Sequence, residues 1–150
     1  MMSQKKIIVI GSDHAAFKEK EQLKLSLEGL GFLVIDVGTH SSDRADYPDY
    51  AQKLCQEIKN ARAERGVLLC GSGIGVSIVA NKYRGIRAAL CRSNNDAEMA
   101  RKHNDANVIC FGARVSTFDE IKQMTDLFLT TDFEAGRHLD RLDKFKDLGE

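Results

Sequence analysis

The chain carries no excess charge of either sign: Lys and Arg number 22, and so do Asp and Glu. General binding to nucleic acid needs a basic face, so the balance excludes it while leaving room for one small anion held by a few arginines. Long apolar runs are also missing. Met1–Lys6 is polar, and Ile7–Ile10 is far too short for a signal-peptide core or a membrane span. The expectation is a cytoplasmic protein with reduced thiols and no membrane partner. The four cysteines (Cys55, Cys70, Cys91, Cys110) form no C-x-x-C pair, and their wide spacing does not suggest a metal site. Repeats, low-complexity stretches and linkers are absent too, so 150 residues read as one domain, 1–150.

What is present is an alternation. Lys6–Gly11, Phe32–Val37, Gly66–Cys70, Ile86–Cys91 and Asn107–Phe111 are short apolar runs of strand type. Between them, apolar residues recur at helical spacing over Ala15–Leu30, from Pro48 to Ile58, from the glycine-rich segment to about Lys82, over Asn94–Lys102, and over Thr117–Leu129. Strands alternating with helices predict an α/β fold, a five-stranded parallel sheet covered on both faces. The tail 133–150 has Leu139, Leu142 and Phe145 at helical spacing but no strand after it. It either packs back on its own domain or embraces a partner chain.

In such a sheet, ligands sit outside the carboxyl ends of the strands. That rule gathers Ser12-Asp13-His14, Cys70-Gly71-Ser72-Gly73-Ile74-Gly75 and Gly112-Ala113-Arg114 into one neighbourhood. The glycines at 71, 73 and 75 do not have dinucleotide spacing, and no phosphate-loop lysine follows them. A turn of this kind exposes backbone N–H groups to an anion, and the same field favours a thiolate. Cys70 is therefore a candidate base or nucleophile, against the alternative of an inert thiol closing an apolar strand. The other three cysteines read as small buried hydrophobes. His14 and His103 stand in polar company; His40 and His138 read as surface residues. His103-Asn104-Asp105 precedes the fifth strand, at the wrong end of the sheet by topology. Arg137 and Arg141 share a helix face, either a solvated basic face or a clamp for phosphate.

Taken in order, these segments resemble the ribose-5-phosphate isomerase type B family, which includes galactose-6-phosphate isomerase subunits. The matching pieces are Gly11–His14, Asp46–Ala51, Cys70–Gly75, Ala80–Lys82 with Gly85–Ala88, His103–Val108, Phe111–Val115, and Gly136–His138 with Arg141. The resemblance implies a three-layer αβα Rossmann-like sandwich. It implies a homodimer, or a dimer of dimers, whose sites are built from two chains and use no metal or cofactor. It implies interconversion of ribose 5-phosphate and ribulose 5-phosphate. Cys70 falls on the family's base and His103 on its ring-opening residue. Asp13, His14, Tyr47, Gly71, Ser72, Gly73, Ile74, Gly75 and Asn104 fall on substrate-binding positions. Arg114, Arg137 and Arg141, with His14, fall on phosphate-holding positions, the tail arginines serving the neighbouring subunit. Some members lack the cysteine and carry a glutamate at the end of the loop; here that position is Val76, which points to the thiolate route. Turnover of a six-carbon sugar phosphate and non-catalytic sensing of a sugar phosphate stay open as alternatives.

Overall fold

The computed structural model describes residues 6–150, so the polar segment before Lys6 lies outside it. Five strands, β1 (Ile7–Ser12), β2 (Leu33–Asp36), β3 (Arg65–Cys70), β4 (Ala88–Leu90) and β5 (Val108–Gly112), form one sheet in the order β2-β1-β3-β5-β4. Every pairing is parallel. Six helices cover it: α1 (Phe17–Gly29), α2 (Tyr47–Lys59), α3 (Ile74–Ala80), α4 (Asn94–Lys102), α5 (Phe118–Thr130) and α6 (Arg137–Asp143).

The period of two along each strand divides the core. Ile8, Ile10, Val67, Leu69, Ile109 and Phe111 face α1, α4 and α5. Val9, Leu68, Cys70, Val108 and Cys110 face α2 and α3. Both faces are thus dry, which is why the strands read as nearly continuous apolar runs. The result is the expected three-layer αβα sandwich.

Local chemistry sets the element ends. Asp13 accepts from the Ala15 N–H at 3.0 Å and starts a 3-10 turn, His14–Ala16, ahead of α1. Pro48 sits in the first turn of α2, where its missing N–H costs nothing. Ser93 caps α4, and Thr117 with Glu120 forms a capping box on α5. The helix after the glycine loop stops at Ala80, before the expected Lys82. Asn81 turns its amide to the Ala88 backbone instead, accepting and donating at 2.8 and 2.9 Å. In the first turn of α1, Lys20 is fully buried and bonds Asp36 at 2.6 Å, tying the helix to β2.

Within one chain the tail packs back on its own domain. The Glu134 N–H donates to the Lys102 carbonyl at 3.0 Å. The terminal Glu150 pairs through its backbone with Lys82 and Arg84, both at 2.9 Å.

Candidate active site

The sheet has a switch point between β1 and β3. The chain leaves β1 toward β2 and leaves β3 toward β4 on the opposite side. The crevice outside the strand ends at such a point is where an open α/β sheet binds its ligand. Here a cavity of about 300 Å³ opens there, lined by Asp13, Tyr47, Cys70, Gly71, Ser72, Gly75, Arg114 and Val115.

Cys70 is the last residue of β3 and is 4% exposed. Its sulfur accepts the Gly73 N–H at 3.1 Å. The loop closes that contact because Gly73 has φ +79°, a conformation that L side chains rarely adopt. A Cβ there would also lie 2.7 Å from the Phe111 backbone carbon. Ser72 Oγ accepts from the Ile74 N–H at 3.1 Å, so the hydroxyl holds the turn. A Cβ on Gly75 would come within 2.6 Å of the Tyr47 ring, so glycine there lets the ring lie over the loop.

The other cysteines behave differently. Cys55 and Cys91 point their sulfurs at the carbonyls of Ala80 and Ala89, as thiol donors. Burial pushes both up to about 12, and pushes Cys110 well above its ordinary value. These are small hydrophobes, as their apolar runs suggest. Cys70 is the one whose sulfur accepts a backbone hydrogen bond and lines a cavity, among the described residues.

The connection after β5 is strapped to the glycine loop. Ala113 N–H donates to the Cys70 carbonyl at 2.9 Å, and Arg114 N–H to that of Gly71 at 3.0 Å. The exposed Arg114 side chain lies against Gly71, which brings a guanidinium to the rim beside Cys70. His14 Nδ1 lies 3.0 Å from the Ala45 carbonyl oxygen and 3.1 Å from the Ala45 N–H, which ties the ring to the segment before α2.

His103, Asn104, Arg137 and Arg141 are elsewhere. His103 caps the C-terminal end of α4, at the amino edge of the sheet. Arg101, 4% exposed, sets that end by donating to Asp105 at 2.8 Å and to the Ala106 carbonyl at 2.7 Å. The His103 ring stacks on that of His138, centroids 4.3 Å apart. Arg137 and Arg141 are exposed on α6 beside them, and Asn104 lines a separate cavity of about 590 Å³ with Arg87, Leu139 and Phe145. One chain therefore holds two separate clusters of the expected site residues, one around Cys70 and one around His103.

His138 corrects the sequence reading. It is 7% exposed, not a surface residue. Burial, then His103 and the charges of Arg137 and Arg141, hold its imidazole below the ordinary value, with Glu134 opposing. Glu134 was not legible as part of this cluster either; the i, i+4 spacing from Glu134 to His138 was its only signal.

Residues 8–145 match the family described as ribose/galactose isomerase. Ribose-5-phosphate isomerase B of Escherichia coli (strain K12) is 41% identical over 138 residues, covering 92% of this chain and 93% of that protein. A crystal structure of a ribose 5-phosphate isomerase from Thermotoga maritima superposes with a TM-score of 0.93 at 46% identity, covering 97% of this chain and 100% of that one. Ribose-5-phosphate isomerase B from Mycoplasma genitalium, solved with bound ribulose-5-phosphate, gives 0.90 at 38% identity and covers 96% of each chain.

Proposed function

We propose that this chain, which belongs to the ribose/galactose isomerase family, interconverts D-ribose 5-phosphate and D-ribulose 5-phosphate through an enediolate. The observation that carries the reading is Cys70, which lines a cavity at the sheet's switch point and whose sulfur is held by the Gly73 N–H. As a thiolate it takes the proton from C2 of the open aldose. The C1 carbonyl gains the electrons and becomes the enediolate oxygen, which the loop N–H groups stabilise. Return of the proton to C1, with a hydroxyl proton passing from O2 to O1, gives the ketose. His103 opens the furanose by moving a proton from the anomeric hydroxyl to the ring oxygen. Asp13, His14, Tyr47, Asn104 and the loop from Gly71 to Gly75 bind the sugar. Phosphate held by Arg114, Arg137 and Arg141 anchors it away from the reacting carbons.

Two half-sites on one chain are supplied by one assembly: a homodimer, alone or doubled, in which the tail 133–150 brings Arg137 and Arg141 to the neighbour's Cys70 cavity. No metal or organic cofactor enters the steps. The chemistry fits the pentose phosphate pathway of the cytoplasm. The family description includes galactose, which keeps a six-carbon sugar phosphate as the second reading. A panel of five- and six-carbon sugar phosphates, assayed with purified protein in excess EDTA, tests both. Ribose 5-phosphate should turn over fastest and without added cation. Faster turnover of allose or galactose 6-phosphate would move the assignment to hexoses. Binding without turnover of any member would make the protein a sensor. Activity that EDTA abolishes and one divalent ion restores would overturn the metal-free steps.

A further inference from the structure

His103, Glu134 and His138 come from three parts of the chain: the end of α4, the connection after α5, and α6. Their donor atoms lie within 4.8 Å of one another. Glu134 Oε1 stands 3.6 Å from His103 Nε2 and 3.8 Å from His138 Nε2. Both separations are too long for hydrogen bonds. They are close to the edge of a tetrahedron around zinc, which for ligand distances of 2.0–2.1 Å is about 3.4 Å. The carboxylate oxygen thus lies near the Nε2 atoms of both imidazoles, whose rings are stacked with centroids 4.3 Å apart, so a cation there requires the half-exposed His103 ring to turn until the two lone pairs converge.

We infer that His103, Glu134 and His138 bind a divalent transition cation of the zinc class. Two imidazoles and one carboxylate suit zinc, cobalt or nickel and do not suit magnesium or calcium, which take oxygen ligands. His138 is fixed by burial, its side chain 9% exposed, while His103 and Glu134, at 39% and 52%, leave the site open to solvent. The charges of Arg137 and Arg141 on α6 weaken a bare cation and favour an anion as its fourth ligand. On the function proposed above, the cation is an inhibitor and not a cofactor, because it takes the Nε2 lone pair that His103 needs for ring opening.

The test uses metal-stripped, full-length protein titrated with Co²⁺, whose visible bands report tetrahedral nitrogen and oxygen ligation, and with Zn²⁺ against a chromophoric chelator. One cation per chain is expected, without the intense sulfur-to-cobalt band of a thiolate site. Glu134→Gln, an exposed change, should weaken binding about tenfold or more, and His138→Gln, with its fold checked by circular dichroism, should do the same. Zn²⁺ at the occupancy measured should suppress turnover of ribose 5-phosphate, and EDTA should restore it. Undiminished affinity in Glu134→Gln overturns the site, as does binding that disappears in Cys70→Ser but survives in Glu134→Gln. Full occupancy with no inhibition leaves the cation site standing and removes His103 from the ring-opening step.

Discussion

Cys70 and His103 stand at opposite ends of paired strands. Cys70 closes β3, opposite Gly112 at the end of β5, whereas His103 precedes the start of β5. The five residues of β5 put roughly 16 Å of extended chain between the two levels. On the function proposed above, the base and the ring-opening acid cannot serve one five-carbon sugar across that span within one chain.

That separation makes complementation the sharpest measurement. Cys70→Ala and the double variant Arg137→Ala/Arg141→Ala should each be inactive alone. Mixed after subunit exchange, half the dimers pair one of each, and one of the two sites in such a dimer is intact. Recovery should approach about one quarter of wild-type activity in a symmetric dimer. Verified exchange with no recovery would reject the shared site.

Cys70→Ala by itself removes the base and little else, since the side chain is small. The rate constant kcat should fall by roughly 10²–10⁴-fold, with ligand binding by calorimetry nearly unchanged. Turnover close to wild type would remove the thiolate from the mechanism.

His103→Ala should depend on the direction of assay. Ribose 5-phosphate must be opened from its furanose, whereas ribulose 5-phosphate cannot close to one. Initial rates should drop far more from the aldose than from the ketose. An equal drop both ways would mean that His103 positions substrate instead.

Asp36 gives a prediction on stability. Burial would raise its carboxyl, but the Lys20 hydrogen bond, the Gly38 N–H and the charges of Lys20 and Lys24 hold it below its ordinary value of 3.8. A lowered folded-state value contributes stability above pH 3.8 and loses it as pH falls through the folded value. Asp36→Asn leaves the fully buried Lys20 ammonium with Glu21, at 2.6 Å, as its carboxylate partner, and should cost about 1.5–3 kcal/mol at neutral pH. Denaturant melts across pH 2–7 check this: the acid loss carried by Asp36 should be missing from the variant.

Much of the fold was legible because both faces of the sheet are covered. Continuous apolar runs marked all five strands, and amphipathic spacing marked the helices between them. The glycine loop was legible for a similar reason: Cys70 meets the Gly73 N–H and Ser72 the Ile74 N–H through local backbone geometry, and local geometry leaves a local pattern. Strand ends were less so. The fourth run, read as Ile86–Cys91, is strand only over Ala88–Leu90, because Arg87 N–H goes to the Asn107 side chain at 2.8 Å.

The residues by themselves determined the alternation of elements and hence the parallel sheet, since burial on two faces writes its period directly into the chain. Tertiary structure decided the rest. The parallel pairing of β3 with β5 set Cys70 and His103 at opposite ends of neighbouring strands, and the return of the tail placed Glu134 and His138 beside that histidine. Those contacts join segments far apart in sequence through single side chains. A contact of that kind leaves no periodic trace and exists only once the layers have packed.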